Sequence, residues 1–132
     1  MPNPAEVVGH AADPLHALAY LSTPAEPFSD RDLSDLLLAA RRWNAAHGVT
    51  GKLVVLEDDE RVVRFAQWIE GPRSALEACV RRIVDDPRHD GIDVRRRGPV
   101  EARRFPGWDM AIQPASSATF ERAAGQLTAA EG

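Results

Sequence analysis

The chain has 132 residues and a formal net charge of −4, with 44% hydrophobic and 27% charged residues. These values are typical of one globular domain with its own core, and the acidic balance argues against nucleic acid as the main partner. A single cysteine excludes a disulfide framework and a thiolate metal cluster. No apolar run reaches the roughly 20 residues of a membrane span, and the N-terminus lacks a signal peptide. We therefore expect a cytoplasmic protein with no membrane partner.

The first half of the chain predicts an arm, a strand and a helix. Residues 1–14 are rich in proline and are expected to form a flexible arm. Leu15–Ser22 alternates like a strand. Ser29 is a good N-cap for a helix whose inward stripe reaches Asn44, and Gly48 is its natural end.

The second half predicts a hairpin, two helices and two more strands. The helix after the hairpin carries Cys79 on its buried stripe, and Pro87 cannot continue it. A third helix follows Pro114, capped by Ser116 or Ser117. The predicted strands are Val49–Glu57, Val62–Pro72, Ile92–Val100 and Trp108–Gln113. The predicted class is α+β, a ferredoxin-like β-α-β-β-α-β mixed sheet with an extra strand and a C-terminal helix. This fold by itself indicates no particular function.

Gln67 is an unusual residue for its place in the chain. Strand alternation puts it on one apolar face with Val63, Phe65 and Ile69. Burying its carboxamide without partners would cost roughly 1–3 kcal/mol. Gln67 is therefore either hydrogen-bonded to backbone or facing a ligand.

Two further polar residues fall on inward faces, Tyr20 on the first strand and Asn44 on the first helix. Asn44 alone is equally well explained as a cap for its own helix end. In a ferredoxin-like order the first and third strands are neighbours, so Tyr20 and Gln67 come within hydrogen-bond reach. The three residues together predict a pocket between the helices for a planar ligand with a polar edge. No hydrolase, phosphate-loop or zinc motif is present.

Five segments, in order, resemble the BLUF domain, the blue-light sensor using flavin. The similarity runs from about Leu15 to Gln113. The segments are Y-L-S from Tyr20, R-W-N-A-A-H-G-V-T-G around Asn44, F-A-Q-W-I-E-G-P around Gln67, D-D-P-R-H around Arg88 and R-R-F-P-G-W-D-M around Trp108.

The resemblance implies a flavin between the first two helices: FAD, with FMN or riboflavin also accepted. It implies that Asn44 hydrogen-bonds the polar edge of the ring and that Arg88 approaches its C2 carbonyl. Ser22 would also contact the flavin, while Asp86 and His89 would lie towards the ribityl chain. One position departs from the family, because Trp43 stands where a polar His or Asn is usual.

The resemblance also implies a photochemical role for four residues. Tyr20 is the light-driven electron and proton donor, and Gln67 rearranges its amide between Tyr20 and the flavin. Trp108 and Met110 lie on the last strand and pass the signal outward. Such a change biases a bistable element and turns over no substrate, so we expect no enzymatic activity.

From these features we expect a short, stand-alone photoreceptor with a sensing unit at residues 15–113 and a helical extension at 114–132. Its output would be a downstream protein partner or a change in self-association, as in a homodimer. The alternative is a ferredoxin-like ligand-binding or interaction module without photochemistry. Acylphosphatase-like hydrolysis shares the element order but has no sequence support.

Overall fold

Five strands and three helices make up the part of the chain that the structure describes. A computed structural model describes residues 14–26, 28–85, 87 and 89–129, with only the backbone of His89 and Asp90. The expected arm at 1–14 lies outside this range apart from Pro14. The elements are β1 (Leu15–Pro24), α1 (Asp30–His47), β2 (Thr50–Asp58), β3 (Arg61–Pro72), α2 (Arg73–Asp85), β4 (His89–Pro99), β5 (Ala111–Ala115) and α3 (Phe120–Thr128). Within the described residues, none of these helices has the length and apolar character needed to cross a bilayer.

The strands form one mixed sheet in the order β4-β1-β3-β2-β5. β1 pairs with β3 and β4, and β2 with β3, all antiparallel, whereas β5 runs parallel to β2. β1 and β3 are therefore the central neighbours, and the predicted ferredoxin-like arrangement is confirmed. The hairpin turn between β2 and β3 has positive φ at Asp59 (56°) and Glu60 (64°), as a type I′ turn requires.

The helices α1 and α2 cover one face of the sheet. Ser29 begins α1 with a capping box, in which its hydroxyl accepts from the backbone of Asp32 and the Asp32 carboxylate accepts from the backbone of Ser29. This bonding also lowers the pKa of Asp32. Gly48 ends α1 in the left-handed conformation. The core under the helices contains Leu18, Tyr20, Leu33, Leu37, Val55, Phe65, Ile69, Leu76 and Cys79.

The C-terminal helix α3 covers the opposite face. Its side chains Phe120, Ala124 and Leu127 are buried against Ala66 and Trp68 of β3 and their neighbours on β1 and β2. An isolated helix of nine residues is marginal in water. Docking on the sheet therefore supplies most of its stability.

One sequence expectation fails inside β3. Alternation placed Val63 on the same face as Phe65, but Val62 occupies that core position and is 1% exposed. The register between β2 and β3 shifts between Leu56 and Glu57. A β-bulge at this point adds one residue to β3, which reverses the facing of the residues before it.

Two boundaries near the C-terminus also differ from those predicted. β5 begins at Ala111, so Trp108 and Met110 precede the last strand and do not belong to it. α3 begins at Phe120 with Thr119 as its N-cap, and no side chain caps it. Ser116 lies in the turn before the helix, where its backbone N–H donates to the Thr119 hydroxyl. Ser116 therefore shapes the turn, and neither Ser116 nor Ser117 caps the helix as predicted.

The α3 packing predicts the behaviour of a truncated chain. Deleting residues 116–132 uncovers the apolar face around Ala66 and Trp68, and exposed patches of this kind promote association. We expect a folded protein that self-associates, as measured by size-exclusion chromatography at several concentrations. The single substitution Arg122→Ala, at an exposed position of α3, is the control that should elute as the full-length chain does. A truncated protein that stays monomeric and soluble would contradict this assignment of α3.

Candidate functional site

A partly open cleft of about 130 Å³ lies between α1, α2 and the sheet. Most of its lining is aliphatic or aromatic, and the polar groups come mainly from β1, β3 and α1. The lining residues are Tyr20, Leu36, Leu37, Ala39, Ala40, Asn44, Leu53, Phe65, Gln67, Ile69, Cys79, Arg82 and Ile83.

A hydrogen-bonded chain crosses the floor of this cleft. The pairing of β1 with β3 sets Tyr20 directly opposite Gln67. The Tyr20 hydroxyl donates to Gln67 Oε1, and Gln67 Nε2 donates to the Met110 Sδ at 3.5 Å. The predicted contact between Tyr20 and Gln67 is confirmed. The Gln67 amide thus has its acceptor on a phenol and its donor on a thioether, which is a weak acceptor.

Helix α1 fixes the segment that carries Met110. Asn44, which is 4% exposed, donates from Nδ2 to the Asp109 carbonyl at 2.7 Å. Arg41 Nε donates to the Met110 carbonyl at 3.0 Å. The Asn44 amide is therefore committed to the backbone through its nitrogen, which leaves its carbonyl oxygen as an acceptor for a ligand in the cleft.

The cleft has one cationic lining residue, Arg82, among the described residues. Its guanidinium lies 4.9 Å from the centroid of the Trp43 ring. The Trp43 ring also stacks on His47, with centroids 3.9 Å apart. Packing against α1 and α2 thus accounts for the Trp43 side chain. Deeper in the cleft, burial raises the pKa of the Cys79 thiol to about 11, so the group is a neutral thiol at neutral pH.

The other predicted site residues are either absent from this cleft lining or not fully described by the structure. Ser22 is buried one strand repeat beyond Tyr20 on β1. Trp108 is 52% exposed, and its ring stacks on Phe105. Asp86 and Arg88 lie outside the described residues. For His89 the structure gives the backbone of β4 but not the side chain.

A second polar centre lies on the opposite face of β3, at Glu70. This carboxylate is fully buried and accepts four hydrogen bonds of 2.7 to 2.9 Å. The donors are the Thr50 hydroxyl, the Trp68 indole and the backbone N–H groups of Arg104 and Phe105. Glu70 therefore fastens the connection between β4 and β5 to the middle of the sheet.

Sequence reasoning missed the roles of Glu70, Arg41 and Arg104. For Glu70 a signal existed, because it shares the apolar face of β3 with Ala66 and Trp68, as Gln67 shares the other face. For the two arginines no signal existed, since each binds backbone carbonyls that only the tertiary structure brings near. The need for glycine at position 51 likewise becomes visible only in the tertiary structure. A Cβ there would lie 2.0 Å from the Trp68 carbonyl oxygen, so only glycine allows β2 to approach β3.

Comparison with known protein families decides the identity of this arrangement. The model of the family described as BLUF, sensors of blue-light using FAD, matches residues 15–111. The chain belongs to the BLUF family. The family members are blue-light sensors that use flavin, and the hydrogen-bonded Tyr20–Gln67 pair agrees with that function.

Individual relatives support the assignment. The structure "BlrB - a BLUF protein, dark state structure" is 35% identical, with a TM-score of 0.71, over 90% of this chain and 85% of that one. Klebsiella pneumoniae BlrP1 with FMN and cyclic diGMP is 32% identical, with a TM-score of 0.66, over 76% of this chain and 26% of that one. Photoactivated adenylate cyclase subunit beta of Euglena gracilis is 34% identical over 70% of this chain. The chain spans about 10% of the length of that cyclase.

The four bonds to Glu70 predict a large cost for removing its carboxylate from this BLUF domain. Glu70→Ala leaves four donors to find water or remain unpaired, and each unpaired donor costs about 1–3 kcal/mol. We expect the free energy of unfolding to fall by at least about 3 kcal/mol, measured by urea denaturation. Glu77→Ala is the control, because it removes only an exposed ion pair to Arg73. That pair is worth at most about 0.5 kcal/mol. Equal losses in the two variants would contradict the role given to Glu70.

Proposed function

We propose that the protein senses blue light through a flavin held in the cleft between α1 and α2. The observation that carries the proposal is the Gln67 amide, hydrogen-bonded between the Tyr20 hydroxyl and the Met110 sulfur. Its acceptor and donor ends can exchange places by one side-chain rotation. An amide so placed at the floor of a ligand cleft can redirect a hydrogen bond without breaking a covalent bond.

The residues of the cleft fit a flavin. An aliphatic lining suits the faces of a tricyclic ring, and the ring's polar edge needs donors and acceptors, which Tyr20, Asn44 and Gln67 supply. We propose FAD as the cofactor, with FMN and riboflavin sharing the same ring. The relative BlrP1, described with FMN, supports acceptance of the shorter form. Ser22, Asp86, Arg88 and His89 complete the proposed contacts.

When bound, the flavin supplies absorption of blue light and a strong oxidant beside Tyr20. The Tyr20 phenol can then lose its proton along its existing hydrogen bond, because the acceptor Gln67 Oε1 is already in place. A rotated Gln67 amide would present its NH₂ group to Tyr20 and its carbonyl oxygen to Met110. Oxygen and sulfur are both acceptors, so the contact with Met110 would be lost. In a water-poor cleft the changed hydrogen bond has a larger electrostatic effect than it would have in water.

The proposed output is a change of interaction and not a chemical reaction. Residues 15–113 form the proposed sensing unit, and residues 114–132 form the proposed output extension. Met110 immediately precedes β5, so its release would reach the extension directly. We propose that a downstream protein, or a second copy of the chain in a homodimer, responds to this change. Trp108, exposed on the same segment, is the residue through which a partner would detect it.

Tyr20→Phe separates photochemistry from flavin binding. Phenylalanine keeps the ring in the core but has no hydroxyl proton to transfer. We expect flavin to bind and the reversible red shift of its absorption under blue light to disappear, as measured by light-minus-dark spectroscopy. Cys79→Ala is the control, because it changes the cleft lining without touching the hydrogen-bonded chain. A Tyr20→Phe protein that still shows the shift would rule out Tyr20 as the donor.

Gln67→Leu tests the amide itself. Leucine suits the apolar face of β3 but has neither a donor nor an acceptor to redirect. We expect bound flavin, no red shift, and unfolding stability equal to or above that of the wild type, because a polar group is removed from the core. Absorption spectra and urea denaturation of the same sample give both results. Spectra that match the wild type in darkness and in light would refute the mechanism.

A further inference from the structure

Arg104 links the connection between β4 and β5 to the C-terminal helix α3. Its backbone N–H donates to Glu70 Oε1 at 2.7 Å. Its guanidinium donates to the carbonyl of Leu127 at 2.8 Å and to that of Gln126 at 3.2 Å, both in the last turn of α3. The same guanidinium lies 4.4 Å from the centroid of the Trp68 ring. One residue thus joins the connection between β4 and β5 to the carboxyl end of the C-terminal helix.

The hydrogen bonds from the Arg104 guanidinium stabilise the carboxyl end of α3, which is a short helix. Its last carbonyl groups lack partners within the helix and carry the negative end of the helix dipole, so a guanidinium is the ideal cap. Arg64 holds the other end through an ion pair of 2.7 Å with Glu121 and lies over the Phe120 ring. Arg64 belongs to β3, whereas Arg104 belongs to the segment that leads to Met110.

That segment is anchored at both of its ends and also at Trp108, whose carbonyl accepts a hydrogen bond from the Gly51 N–H at 3.0 Å. Glu70 holds it at Arg104 and Phe105, and α1 and Gln67 hold it at residues 109 and 110. Five residues lie between Arg104 and Met110. A change at Gln67 that frees the Met110 side chain removes one of these anchors, and the chain in between transmits the strain to the others.

We propose that Arg104 is the coupling residue through which the Gln67–Met110 contact controls the docking of α3. In darkness the segment is fixed and Arg104 caps α3. When Met110 is released, the segment shifts, Arg104 loses the carbonyls of Gln126 and Leu127, and α3 leaves the sheet. The apolar face around Ala66 and Trp68 is then uncovered. This inference rests on the proposed function for its light dependence, but the cap itself does not depend on light.

Two arginines provide matched controls. Arg96 also lies over the Trp68 ring, at 5.7 Å, but it belongs to β4 and forms no hydrogen bond or ion pair with α3 among the described residues. Its replacement removes a cation from Trp68 and leaves the cap intact. Arg64 contacts α3 but does not belong to the segment. Its replacement loosens the helix and leaves the coupling intact.

Hydrogen exchange at the amides of residues 120–128, measured by mass spectrometry on the flavin-loaded protein, tests the proposal. In the wild type we expect exchange to become about tenfold faster under blue light. Arg104→Ala should exchange about three- to tenfold faster already in darkness, because hydrogen bonds to a charged group are lost. Light should then add nothing. Arg96→Ala should match the wild type, and Arg64→Ala should exchange faster in darkness yet still respond to light.

Three results would overturn the proposal: wild-type protection of Arg104→Ala in darkness, a full light response in that variant, or a wild type whose flavin shifts while α3 does not respond. If Arg104→Ala does not fold, Arg104→Lys keeps the charge but cannot place two donors as the guanidinium does, and should still exchange faster than Arg96→Ala. A wild type with bound flavin but no red shift would refute the proposed function instead. The dark comparison of Arg104 and Arg96 variants would still decide whether Arg104 caps α3.

Discussion

The arrangement of the cleft centres on one carboxamide, Gln67, which is held between a phenol and a thioether. The pairing of β1 with β3 brings the Tyr20 hydroxyl to its carbonyl, and bonds from Asn44 and Arg41 bring Met110 to its nitrogen. The central strands and the helix α1 are thus all needed to give this side chain its two partners. The weaker of these partners, the Met110 sulfur, is the one whose contact an amide rotation removes.

The two faces of β3 perform different tasks. Gln67 faces the ligand cleft, while Trp68 and Glu70 face the side that α3 covers. A buried carboxylate is costly unless its lone pairs are satisfied, and the four donors around Glu70 satisfy them. Two of those donors belong to the connection between β4 and β5. The cost of burying Glu70 is therefore offset by contacts that fix the route from the cleft to the C-terminal helix.

Sequence patterns predicted the regular strands and helices of the molecule and missed its irregular parts. Alternation and helical periodicity predicted the sheet, both long helices and the meeting of Tyr20 with Gln67, because each follows from burial of a regular element. The bulge that puts Val62 in place of Val63 breaks that regularity, and so does the turn that delays α3 to Phe120. The sequence of residues 100–110 shows neither strand alternation nor helical periodicity. The shape of this segment comes from bonds to Glu70, Asn44 and Arg41, which are distant in sequence, so Trp108 and Met110 were assigned to a strand that begins only at Ala111.

The central claim is that light redirects the hydrogen bonds of Gln67 around a flavin in the cleft. The most direct test is the absorption spectrum of the purified, flavin-loaded protein in darkness, under blue light and after return to darkness. A redirected hydrogen bond changes the environment of the ring without destroying it. The account therefore predicts a small shift to longer wavelength that forms in light and reverses completely in darkness. A spectrum that does not change, or a flavin that bleaches without recovery, would contradict it.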